Sequence, residues 1–133
     1  MKRNIYLFLL SSLFLVGCAD EAVIEPDIDP KDKFLGTWAV KEEIVGQATQ
    51  NYTSIIVKDS SNTSKINIGN IYNLGTGAKI SALVAGNSLD ISTQSITGIN
   101  IAGTGTFVGN SIILNYTADD GSGAINVKAT YTK

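Results

Sequence analysis

Residues 124–133 read AINVKATYTK, and this closing stretch decides the fold class. Ile125, Val127, Ala129 and Tyr131 fall on one side of an extended chain, and Asn126, Lys128, Thr130 and Thr132 on the other. A period of two is the spacing of a strand with one face in the core and one in water. Working backward, Ile112, Leu114 and Tyr116 alternate with Ile113, Asn115 and Thr117. Before them Ile99, Ile101, Gly103, Gly105 and Phe107 share a face. Leu89 with Ile91 and Ile80, Ala82 with Val84 give two more repeats. Phe34, Gly36, Trp38 and Val40 open the series. Two segments are less regular: Tyr52 to Val57 is apolar on both faces, and Ile66 with Ile68 is short.

Turn residues separate these runs: Gly46, Asp59 to Ser64, Gly75 to Gly77, Gly86-Asn87, Thr97-Gly98, Gly109-Asn110 and Asp119-Asp120-Gly121. Glycine and asparagine supply the positive φ that tight hairpins require. Beyond the apolar run at the N-terminus, no stretch holds a 3.6-residue period for ten residues, so helical crossovers are not expected. The reading is all-β, an up-and-down antiparallel meander of about eight strands forming a single domain over residues 34–133. Consecutive short strands must protect their edges, and closure into a small barrel does so most completely, with a β-sandwich as the alternative.

Composition narrows the chemistry. The chain has no histidine and one cysteine, which excludes a Ser-His-Asp triad, a Cys-His pair, an intrachain disulfide and histidine-based metal sites. Carboxylates for glycoside cleavage would have to come from Glu42, Glu43, Asp90, Asp119 and Asp120. Glu42 and Glu43 are strand neighbours and point to opposite faces, while Asp119 and Asp120 precede Gly121 in a turn. Gly103, Gly105 and Gly109 miss the dinucleotide spacing by one residue and lack a following helix. They fit better as points where a strand bends. The sequons at Asn51, Asn62 and Asn115 are those an Asn- and Thr-rich composition produces by chance. Asp119, Asp120 and Ser122 lack the spacing of a calcium loop. No catalytic residue, cofactor or metal site is expected, and the domain is read as non-enzymatic.

The N-terminus reads separately. Lys2 and Arg3 precede an apolar stretch from Ile5 to Val16, too short to span a bilayer but of the length of a secretory signal. Leu15, Val16, Gly17 and Cys18 resemble the lipobox of bacterial lipoproteins. The resemblance implies removal of residues 1–17, diacylglycerol on Cys18 and further acylation such as palmitate, which together anchor the chain to a membrane. Residues 18–33 form an acidic tether containing both prolines, Pro26 and Pro30. Ala19, Asp20 and Glu21 resemble the export signal of surface lipoproteins in Bacteroidota, which implies the outer membrane and the cell surface. The retention rule of enterobacteria, which reads an Asp in that position, implies a periplasm-facing anchor instead. Loss of Lys2 and Arg3 leaves eight lysines against twelve acids, a net charge of −4 with no arginine. A nucleic-acid partner, which needs clustered cations, is not expected.

Phe34, Gly36 and Trp38 form an F-x-G-x-W sequence that resembles the Gly-x-Trp signature of lipocalins and the wider calycin group. The likeness extends weakly over the domain, toward the short lipocalin-like lipoproteins of Bacteroidota. It implies a Trp plugging one end of the barrel and a small apolar ligand inside, lined by Trp38, Phe107, Leu114 and Tyr116, with Ile80, Leu89 and Ile101. Gly103, Gly105, Ala82 and Ala129 would leave it room. The departure is the basic residue that lipocalins lay over that Trp from late in the chain: there is no arginine, and Lys128 falls on the polar face. A second expectation is a domain with a filled core that binds a surface protein or a glycan through its outer face or loops.

Overall fold

In the computed structural model, which describes residues 28–133, eight strands follow one another without a crossover. They are β1 (Gly36–Glu43), β2 (Gln50–Lys58), β3 (Lys65–Gly69), β4 (Lys79–Ala85), β5 (Ser88–Ile96), β6 (Ile99–Val108), β7 (Ser111–Asp119) and β8 (Ala124–Thr132). Each is antiparallel to the next, and β8 returns to β1 with Ala39 opposite Thr132 and Glu43 opposite Lys128, closing the barrel. The architecture is the expected meander of eight strands, and the barrel rather than the sandwich. The signal, the lipobox with Cys18 and the first part of the tether lie outside the described residues. Among the described residues no helix is long and apolar enough to cross a membrane.

Alternation sets the core. Along β7, Ile112, Leu114, Tyr116 and Ala118 are buried, and along β8, Val127, Ala129 and Tyr131. The less regular β2 turns Ser54 and Ile56 inward, leaving Ile55 and Val57 about half exposed on the outside. At the β5–β6 hairpin, Thr97 and Gly98 have φ of 47° and 79°, the two positive values a two-residue turn of this hand demands.

One end of the barrel is plugged by the opening residues. Phe34 is not on the first strand, as its place in the F-x-G-x-W sequence suggested. It belongs to a 3-10 turn, Asp32–Phe34, that folds under the barrel, and the strand begins at Gly36. Gly36 makes the corner at φ 113°, which a side chain would strain. Trp38, 1% exposed, then donates its indole N–H to Phe34 O at 2.8 Å. The basic residue over the Trp is present after all. It is Lys133, whose Nζ sits 4.5 Å from the Trp38 ring centroid and donates to Leu35 O at 2.8 Å. Lys128 is exposed, as alternation requires. The last residues of the acidic stretch also dock at this end. Lys58 pairs with Asp29 at 2.9 Å and Asp32 at 3.0 Å, and Lys33 donates to Asn87 Oδ1.

The wall is not uniformly hydrogen-bonded. β4 and β5 pair only from Leu83–Asp90 to Ala85–Ser88, and β5 carries an irregularity between Ile91 and Gln94. There the Gln94 side chain stands in for a strand. Its Oε1 accepts from Ser81 N at 2.9 Å, and its Nε2 donates to Ser81 O at 2.6 Å.

Candidate functional site

The inward residues Trp38, Val40 and Glu42 follow one another on β1. The same period-two logic that buries the first two carries a carboxylate into the core. Glu42 is 2% exposed. Its Oε2 accepts two hydrogen bonds, from Tyr52 Oη at 2.5 Å and from Tyr116 Oη at 2.8 Å. Tyr52 comes from β2 and Tyr116 from β7, so three strands converge on one oxygen. Among the described residues no lysine forms an ion pair with Glu42; Lys41, its neighbour, points outward and pairs with Glu43 at 3.3 Å.

Tyr131, fully buried on β8, stands opposite Val40 on β1, the inward residue next before Glu42. Among the described residues its Oη is the one buried side-chain nitrogen or oxygen without a hydrogen-bond partner. Ser54, inward on β2, donates its own proton to Gly69 O at 2.6 Å. Burial raises the Tyr52, Tyr116 and Tyr131 hydroxyls well above the ordinary phenol value, and the Glu42 charge raises all three further. These phenols stay protonated, and those of Tyr52 and Tyr116 serve as donors.

The sequence-predicted lining residues divide. Trp38, Leu114 and Tyr116 are buried, while Phe107 is half-buried near the plugged end, edge-on to Phe34 with ring centroids 5.7 Å apart. Trp38 and Phe107 thus belong to the plug, and only Tyr116 touches the polar cluster. The room expected beside the inward glycines is already taken. A Cβ on Gly105 would lie 2.4 Å from Leu114 Cδ2, and one on Gly103 2.5 Å from Tyr116 Cα and Cβ. Sequence reasoning missed Glu42 as a core residue because it weighed the carboxylates only as catalytic pairs. The signal was the shared parity of Trp38, Val40 and Glu42. Asp119 and Asp120 hold their turn as expected, accepting from Gly121 N and Ser122 N at 2.8 and 3.0 Å.

Three clefts are open to solvent on the outside of the wall. One of about 560 Å³ runs over outward-facing Ala102, Asn115, Thr117, Asn126 and Lys128, with Ile44 and Val45 at its end. A second, about 310 Å³, lies beside Ile55 and Val57, where Gly69 leaves a hollow bounded by Asn70 and Lys79. The third, about 210 Å³, sits over Gln94, Ser81 and Leu83.

The fold and site define a small closed antiparallel β-barrel with a packed, largely apolar interior and, among the described residues, one buried carboxylate. No protein-family model matches the chain, and no curated protein does. Among solved structures it is similar to a redesigned beta barrel, with a TM-score of 0.60 and 12% identity over 82% of this chain and 98% of that one. At that identity the likeness concerns the fold alone.

Proposed function

We propose that this barrel is a non-catalytic binding module, held at the outer membrane by lipid on Cys18, that meets a surface protein or glycan through its outer face. The observation that carries this reading is the occupied interior: Tyr116, Leu114 and Leu89 fill the space beside Gly103 and Gly105. A ligand-carrying pocket has a volume of about 300 Å³ or more and encloses most of its ligand. The two clefts of that size described above are open and lie on the outer side of the wall. An apolar cargo inside the barrel, the expectation drawn from the lipocalin likeness, would require those three side chains to move apart. Exposed Ile55 and Val57, 54% and 49% accessible and flanking one of the clefts, supply apolar area for a contact.

The test is solvent extraction of the full chain from its own membrane, followed by mass spectrometry against the bulk lipid. The expected extract contains no lipophilic compound enriched to one per chain. A compound at that stoichiometry overturns the reading in favour of a carrier. The anchor has its own test, metabolic labelling with palmitate: the chain takes up label and a Cys18→Ser variant does not.

A further inference from the structure

The Glu42 cluster is unexplained by a role for the outer face. Glu42 keeps only 2% of its surface exposed, and neutral phenols hold one of its two oxygens; a carboxylate so far withdrawn from water costs free energy unless its charge is matched. Counting donors and acceptors shows what would match it. Tyr52 and Tyr116 each have one proton, and both are committed to Oε2. What remains around the cluster is Glu42 Oε1, the lone pairs of those two phenol oxygens, and Tyr131 Oη, which has no partner among the described residues. The surplus is of acceptors carrying one negative charge. An anion or a carbonyl would find a single free donor, that of Tyr131. An ammonium group has three N–H donors, no acceptor and the opposite charge.

The far end of the barrel gives a way in. There the β3–β4 connection holds Asn70, Tyr72 and Asn73 at φ of 51°, 55° and 54°, a region that asparagine enters readily and that tyrosine occupies at a cost of about 1 kcal/mol or more. Ile71 is driven fully into the core, and Tyr72 lies edge-on to Tyr116, ring centroids 6.4 Å apart. The strained segment therefore rests directly on a tyrosine that holds Glu42.

We propose that Glu42, Tyr52, Tyr116 and Tyr131 form an interior site for a small primary ammonium compound, with the Asn70–Asn73 segment as its lid. The site is independent of the outer clefts and of the anchor. The ammonium nitrogen sits against Glu42, takes Tyr131 Oη as an acceptor, and displaces Tyr72 on entry.

The experiment follows the tyrosine ring resonances of the isotope-labelled full chain in detergent during titration with methylammonium chloride. Tetramethylammonium chloride, which has the charge but no N–H, serves at equal ionic strength. Nα-acetyl-lysinamide stands for the side chain of a partner protein. Saturable shifts of Tyr116 and Tyr131 with either primary amine, and none with tetramethylammonium, are the expected result; which amine acts tells a free amine from a lysine. Glu42→Gln keeps the shape and removes the charge, and should weaken the response at least tenfold. Should that variant fail to fold, Tyr131→Phe, which removes only the unpartnered oxygen, should weaken it severalfold. Unmoved resonances in the native chain, or equal responses to tetramethylammonium, overturn the proposal.

Discussion

Lys133, the last residue of the chain, lies over Trp38 near the start of the first strand, Nζ to ring centroid 4.5 Å. The contact joins β8 to β1 at the plugged end, where the two strands also close the barrel. Gly36 turns the chain beside it, at a φ of 113° that a side chain would strain, and lies within van der Waals reach of the lysine, 3.6 Å from the position of a Cβ to Nζ. The corner glycine and the terminal lysine are parts of one device.

Lys133→Ala should lower unfolding stability by about 1–2 kcal/mol, the combined worth of a cation–π contact and one hydrogen bond. Lys133→Arg should restore most of it. Urea denaturation followed by Trp38 fluorescence measures both, with the slope of the transition unchanged.

The two inward glycines should respond unequally to alanine. At Gly105 the added Cβ meets the far end of the flexible Leu114 side chain, so Gly105→Ala should cost about 1–2 kcal/mol. At Gly103 it meets Asn115 O at 2.3 Å and Tyr116 Cα at 2.5 Å, and backbone yields less. Gly103→Ala should cost about 3 kcal/mol or more. Equal tolerance of both in chemical denaturation would indicate a hollow interior.

Gln94→Ala removes the surrogate that satisfies both backbone groups of Ser81. A loss of about 1–3 kcal/mol is expected, since the freed groups sit part-buried in the wall. Hydrogen exchange should quicken at the Ser81 amide while the β6–β7 ladder remains protected. Gln94→Glu keeps the acceptor and loses the donor, and should fall between the two.

Alkaline pH should unfold the barrel through its tyrosines. Tyr52, Tyr116 and Tyr131 are raised above the ordinary phenol value of 10.0 by burial first and then by neighbouring charge. The unfolded chain therefore releases these protons at lower pH than the folded one. Their contribution to stability is intact below pH 10 and declines as pH rises above it. Phenolate absorbance from these residues should appear together with the loss of strand circular dichroism. Glu42→Gln, which removes one of the raising charges, should not advance the transition to lower pH.

The sequence by itself determined the all-β class, a meander of about eight strands, their turns and the face taken by side chains on the regularly alternating strands, β2 excepted. These follow from a local rule, that successive side chains on an extended strand alternate, and from turn residues whose φ requirement is local too. It also carried, by the same parity, the inward direction of Glu42 and of Lys133. Only the tertiary structure decided closure into a barrel, the packing of Leu114 and Tyr116 into the space beside Gly105 and Gly103, and the convergence of Tyr52 and Tyr116 on a single oxygen. These depend on register between strands far apart in sequence, Ala39 opposite Thr132 or Gly103 opposite Tyr116. A pattern within one strand records which side it buries, and nothing of what stands across from it.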